Sequence, residues 1–212
     1  MDAAAQPYPA RLEIDYPERL DRLTTLVRIF LAIPILIILA LVSSGDGSNA
    51  RDGTDQVRTT GVSIGLSLSL ATALMIVFRQ RYPRWWFDFQ LALTRFSYRV
   101  GAYLALLRDE YPSTEDGQAV HLEVDYPDVP RQLNRWLPLV KWLLAIPHFV
   151  VLIVLVLVGI VVVVIAWLAI LITGRYPRAL FDYLVGVGRY GLRVQAYALL
   201  LVTDRYPPFS LR

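Results

Sequence analysis

The apolar residues of the chain are concentrated in long runs that polar segments separate. The first run covers 23–42, the second covers 61–78 and the third covers 139–173. A helix that crosses a membrane needs about 20 apolar residues at a rise of about 1.5 Å per residue. The first two runs therefore predict two membrane-spanning helices, joined by the polar, glycine-containing loop 43–60.

The third run has no polar loop of its own. As a single helix, 139–173 would be about 52 Å long, whereas the hydrocarbon core of a bilayer is about 30 Å thick. We therefore predict a tight hairpin that turns near Gly159, because two short spans match the first half of the chain. The alternative is a re-entrant hairpin that does not reach the far side of the membrane.

Composition agrees with an integral membrane protein. Of the 212 residues, 56% are hydrophobic and 18% are charged, whereas typical soluble domains have about 45–50% and 25%. The chain contains no cysteine, which excludes disulfides and thiolate chemistry. The two histidines, His121 and His148, are far apart in sequence, which argues against a histidine-rich metal site. We expect no cofactor and no metal.

The sequence also repeats itself, with the order of the repeated segments preserved. The repeated pairs are LEIDYP at 12–17 and LEVDYP at 122–127, AIP at 32–34 and 145–147, RYPR at 81–84 and 175–178, and YP at 111–112 and 206–207. This order predicts two related domains, 1–115 and 116–212. The first contains the hairpin of 23–42 and 61–78, followed by a helix over 85–107. The second contains the hairpin within 139–173, followed by a helix over 179–202.

The basic residues indicate an orientation. Of the 21 lysines and arginines, only Arg51 and Arg58 fall in the loop 43–60. Positively charged segments remain in the cytoplasm when a membrane protein inserts. We therefore predict a multi-pass protein of the cytoplasmic membrane with both termini in the cytoplasm.

Two segments alternate polar and apolar residues with a period of two, at 11–16 and 121–126. This period is typical of a short strand with one buried face. We expect these strands on the cytoplasmic side. Their acidic residues are interpreted as the solvated face of a small sheet, with an acidic site as the alternative: Glu13, Asp15, Glu123 and Asp125.

The helices predicted over 85–107 and 179–202 each carry one narrow polar stripe. The stripes consist of Asp88, Arg95 and Arg99 in the first helix and of Asp182, Arg189 and Arg193 in the second. Spacings of seven and four residues place each set on one face. Either the arginines point toward anionic lipid headgroups at the interface, or the helix packs under the bundle with arginine and aspartate as internal ion pairs.

Further candidates are interface anchors, packing residues and one polar residue within a span. Gly61-Val62-Ser63-Ile64-Gly65 also matches the G-x-S-x-G pattern of serine hydrolases, but no strand precedes Ser63, and a small-residue face for helix packing is the better interpretation. His148 is the polar candidate within a predicted span. The anchors are Tyr82, Arg84, Trp85, Trp86, Tyr176 and Arg178, and the packing residues are Gly61, Gly65, Ser69 and Ala73.

The repeated LE[IV]DYP, AIP and RYPR segments together resemble the bacterial membrane family catalogued as domain of unknown function 4389. The resemblance covers nearly the whole chain. It implies a small multi-span protein of the cytoplasmic membrane, and it supplies no active-site residues.

The predicted fold is all-α and integral to the membrane, with four transmembrane helices as two repeated hairpins. Each hairpin is followed by an amphipathic or buried helix on the cytoplasmic side, where short β-strands are possible. The predicted role is a non-catalytic scaffold or accessory subunit. Its partners are membrane lipids, including anionic ones, or another membrane protein, and no nucleic acid. A small transporter or channel-like protein is the alternative, and a membrane hydrolase is the weaker one.

Overall fold

The computed structural model describes residues 8–43, 66–113 and 118–211. Within these ranges the chain forms two strands and six helices. In chain order they are β1 (Ala10–Ile14), α1 (Arg22–Ser43), α2 (Leu66–Arg79), α3 (Arg84–Leu104), β2 (Val120–Val124), α4 (Val129–Gln132), α5 (Pro138–Thr173) and α6 (Arg178–Ala198).

The two strands pair with each other in an antiparallel sheet, with Leu12 opposite Leu122. Both strands alternate buried and exposed residues, as the period of two in the sequence predicts. The buried face lies on α6, where Leu12 packs directly against Gly188. A β-carbon at position 188 would lie 3.0 Å from the end of the Leu12 side chain, so a larger residue there would require Leu12 to move by a few tenths of an ångström.

The prediction of four membrane-spanning helices in two hairpins is wrong. Of the described helices, only α5 is long and apolar enough to cross a membrane. It runs unbroken through Gly159, where the sequence predicted a turn. A continuous helix satisfies all of its backbone groups internally, and in an apolar run no polar side chain is present to replace the hydrogen bonds that a turn would lose. The helix ends only at Gly174, which adopts the left-handed conformation at a φ of 71°.

The apolar run predicted as the second span is described only in part. Residues 61–65 and the loop beyond 43 lie outside the described residues, and α2 begins at Leu66. Its described length of about 21 Å is less than the thickness of a hydrocarbon core. The helix closes with a π-helical turn at Met75–Arg79, after which Gln80 takes the left-handed conformation.

The two helices with polar stripes lie close to their predicted positions, as α3 and α6. Each begins directly after a proline, Pro83 or Pro177. Proline is favourable here because it lacks a backbone N–H, and an N–H at the start of a helix has no partner within the helix. Each is followed by a leucine with a positive φ, Leu106 or Leu201. Residues of α3, α6 and both strands share one hydrophobic core, so the two halves of the chain fold as one body.

Candidate functional site

The outer surface of α5 consists of large apolar side chains that no described residue covers. In the most apolar window of this helix, only 11% of the residues are buried. Ile153 and Ile172 are 61% and 75% exposed. By its length and composition, α5 is thus able to cross a membrane.

Two cations are buried where α1 and α5 meet the segments that follow α3 and α6. Lys141 has no exposed surface, and its ammonium donates to the Thr203 carbonyl at 2.8 Å and pairs with Asp204 at 2.7 Å. Arg28 is equally enclosed and pairs with Asp109. Each cation thus has an acidic partner inside the protein.

Each of these two cations, Arg28 and Lys141, also lies over a tyrosine ring of its own. The Arg28 guanidinium lies 4.6 Å from the ring centre of Tyr103, and the Lys141 ammonium lies 5.3 Å from that of Tyr197. The sequence analysis missed the two acidic partners. A signal was available, because Asp109 and Asp204 each stand two residues before a repeated Tyr-Pro pair.

The arginines of the polar stripes bind backbone carbonyls. The Arg95 side chain donates to the Leu122 carbonyl at 3.0 Å, and Arg189 donates to the Leu12 carbonyl at 2.9 Å. Each arginine therefore holds the strand of the other half of the chain. This cross-connection joins α3 to β2 and α6 to β1.

The second arginine of each stripe also donates to a carbonyl, Arg99 to Ser113 at 2.6 Å and Arg193 to Ser210 at 3.1 Å. Asp88 and Asp182 are exposed. Among the described residues, neither aspartate forms an ion pair with these arginines. The structure thus does not bring the charges of each stripe together, and contact of these arginines with lipid headgroups stays a prediction.

The tyrosines predicted as interface anchors are core residues. Tyr82 donates to the Gln90 amide oxygen at 2.7 Å, and Tyr176 donates to the Ala105 carbonyl at 3.2 Å. Burial raises the pKa of both hydroxyls, so both remain protonated donors. Their own carbonyls accept the hydroxyls of Tyr126 and Tyr16, respectively.

The other predicted anchors lie on the surface or beside it. Trp85 is 67% exposed, whereas Trp86 turns inward and donates to the Thr72 hydroxyl at 2.9 Å. The guanidinium of Arg84 lies 4.5 Å from the ring centre of Tyr126. Arg178 makes the same kind of contact with Tyr16, at 5.1 Å.

His148 is fully buried in a cage of aromatic rings. Its Nδ1 atom lies 2.6 Å from the Tyr190 hydroxyl, and its ring stacks on Phe209 at a centroid distance of 4.2 Å. Its Nε2 atom has no hydrogen-bond partner within the described ranges. The contacts give His148 a packing role between α5, α6 and the C-terminal segment.

Of the predicted packing residues, Ser69 and Ala73 are described, and both are fully buried. The Ser69 hydroxyl lies 3.2 Å from the indole nitrogen of Trp142. Gly61 and Gly65, and Ser63 between them, lie outside the described residues.

A groove of about 1,060 Å³ opens where α2 ends and α3 begins. Its wall contains three arginines, Arg79, Arg81 and Arg84, and one carboxylate, Asp128. A smaller groove of about 500 Å³ near the end of α5 is also rich in arginine. The sequence analysis selected Arg84 but missed its grouping with the other two. In the described parts of the chain, no three His, Cys, Asp or Glu side chains are grouped so that they could hold a metal ion.

Residues 136–210, a stretch that contains all of α5 and α6, match a family model described as Domain of unknown function (DUF4389). Residues 136–210 thus form a DUF4389 domain. The match confirms, for residues 136–210, the family that the repeated segments indicated, whereas the resemblance of the first half of the chain stays a prediction. The description of DUF4389 names no activity, substrate or partner. Neither a curated protein nor a solved structure matches the chain.

Proposed function

We propose that this DUF4389 protein is a non-catalytic scaffold or accessory subunit of the bacterial cytoplasmic membrane, where it binds lipid or another membrane protein. The observation that carries the proposal is the bare apolar surface of α5. Burial of one large aliphatic side chain stabilises a protein by about 1.5–3 kcal/mol relative to exposure to water. Many such side chains on one helix favour lipid or protein surroundings.

The internal use of the polar groups supports a scaffold. Four basic side chains form ion pairs or hydrogen bonds within the protein, namely Arg28, Arg95, Lys141 and Arg189. These contacts occur in matching pairs, which supports the interpretation of the chain as two copies of one unit. Because an arginine of each unit donates to the strand of the other unit, hydrogen bonds connect the two units.

We place both termini on the cytoplasmic side, which requires the chain to cross the membrane a second time in addition to α5. The Tyr8 hydroxyl lies 3.2 Å from the carbonyl oxygens of both Arg193 and Arg205 and can donate to either, so the first and last described segments lie side by side. Arginine is present in both segments, as Arg11 and Arg19 in the first and Arg205 in the last, which favours the cytoplasmic side. The chain has no cysteine, so Arg11→Cys and Arg205→Cys each introduce a single reactive thiol.

A membrane-impermeant maleimide should label neither thiol in intact cells and should label both after permeabilisation. A permeant maleimide serves as the control that each thiol is reactive. Labelling of either thiol in intact cells would contradict the proposed orientation.

Mass spectrometry of what co-purifies in mild detergent tests the role itself. A stoichiometric membrane protein would identify an accessory subunit, and retained lipid alone would favour the lipid-binding scaffold. Replacement of Ile153 and Leu157 by alanine should reduce the co-purifying species, because both side chains are exposed on α5. The matched control replaces Ile33 and Ile37, which are similarly exposed on α1. Purification with neither protein nor lipid would overturn the proposal.

A further inference from the structure

The arginines of the larger groove are free to bind a ligand. Arg79, Arg81 and Arg84 are all exposed. None of them forms an ion pair with a carboxylate in the described part of the chain. The single carboxylate in the wall, Asp128, lies 3.8 Å from Arg131. The groove is therefore strongly positive.

The start of α3 adds backbone donors to the same groove. The first amides of a helix have no carbonyl partner within it, and this end of the helix dipole is positive. Pro83 precedes the helix, and no side chain caps the free amides. Arg84 and Trp85 are the first two residues of α3, and both line the groove. Amides and guanidinium groups that converge in this way suit an oxyanion such as phosphate.

An apolar stripe leads to the groove along α2. Four exposed side chains recur at every fourth position, which places them on one face of the helix. Their span of about 18 Å is close to the thickness of one leaflet of the hydrocarbon core. Phe78, the last of them, directly precedes Arg79, and the exposed Trp85 flanks the other side. The stripe consists of Leu66, Leu70, Leu74 and Phe78.

We propose that the groove between α2 and α3 binds the phosphate group of an anionic membrane phospholipid, with an acyl chain along the stripe on α2. The phosphate would accept from Arg79 and Arg81 and from the first amides of α3, while Arg84 remains stacked on Tyr126. This inference rests on the membrane location given under the proposed function.

Lipid titration of the full-length chain in mild detergent, followed by native mass spectrometry, tests the groove. Phosphatidylglycerol is the anionic probe and phosphatidylcholine is the neutral one. Each cation near an anionic headgroup contributes roughly fivefold in affinity. The double variant R79Q/R81Q should therefore bind phosphatidylglycerol about 25-fold more weakly, with a smaller loss for phosphatidylcholine, because its choline cation offsets the phosphate charge.

The matched control, R11Q/R205Q, removes the same two charges from exposed positions outside the groove. It should leave the affinity for phosphatidylglycerol unchanged. Equal weakening by the two double variants, or unchanged binding by R79Q/R81Q, would overturn the groove as a lipid site. So would displacement of the lipid by equimolar inorganic phosphate, which would indicate a soluble ligand.

The outcomes also separate this inference from the proposed function. If the unaltered chain resides in the membrane but shows no preference between the two lipids, the groove proposal fails and the membrane scaffold stands. If the chain is found outside the membrane, the proposed function fails, whatever the groove binds.

Discussion

Removal of one charge from the buried ion pair of Lys141 should destabilise the protein strongly. Asp204→Asn keeps the size of the side chain but leaves the Lys141 ammonium with the Thr203 carbonyl, the Tyr197 ring and a neutral amide. A buried cation that loses its counter-ion costs about 3–5 kcal/mol. The Asp204 side chain is 21% exposed, so water screens part of the loss. We therefore expect Asp204→Asn to lower the free energy of unfolding by about 3 kcal/mol.

Thermal unfolding in mild detergent, followed by tryptophan fluorescence, measures this loss. For a protein of this size, 1 kcal/mol changes the melting temperature by about 2–4 °C. The D204N variant should therefore melt about 6–12 °C below the unaltered protein. Asp182→Asn is the matched control, because Asp182 is exposed on α6 and forms no ion pair with a described residue. Its melting temperature should change by about 1 °C or less.

A double variant separates lost pairing from lost packing. K141M/D204N removes both charges, so no unpaired ion remains inside the protein. It should recover much of the stability that D204N loses. The reasoning is refuted if D204N melts within about 2 °C of the unaltered protein, or if the double variant is as unstable as the single one.

Two further predictions concern Arg189, which donates to the Leu12 carbonyl of β1, and Glu110, whose carboxylate accepts from Arg108. Arg189→Gln should lower the melting temperature by roughly 3–10 °C, because the charged hydrogen bond to the Leu12 carbonyl is lost; an unchanged value would mean that this contact does not hold β1 on α6. The hydrogen bond from Arg108 lowers the pKa of Glu110, so this group stabilises the fold above its unfolded-state pKa and loses that effect as the pH falls through its folded-state pKa. Below about pH 4.5, the melting temperature of E110Q should fall less steeply than that of the unaltered protein, and parallel curves would contradict the reasoning.

Local patterns in the sequence were sufficient for the strands and for the two helices with polar stripes. Polar and apolar residues alternate around Leu12 and Leu122, which directly indicates strands with one buried face. Pro83 and Pro177 mark where α3 and α6 begin. The long apolar run was misinterpreted because no polar residue lies near Gly159 to indicate a turn or its absence. Gly159 alone does not break a helix whose backbone has no other hydrogen-bond partners.

The arginine contacts were beyond what sequence reasoning can supply. Arg95 and Arg189 bind carbonyl oxygens, and every residue has a carbonyl, so no residue type marks the acceptor. The burial of Tyr82 was missed for a related reason, since a tyrosine before a proline suits a membrane interface as well as a core. The repeat could have supplied Asp109 and Asp204, because its two copies place them identically.

The central claim is that α5 holds the protein in a bilayer. Extraction of membranes with alkaline carbonate tests this claim most directly, because carbonate removes proteins bound at the surface and leaves those embedded in lipid. The account predicts that the full-length chain stays in the membrane pellet and is released only by detergent. Release of the chain into the carbonate supernatant would contradict it.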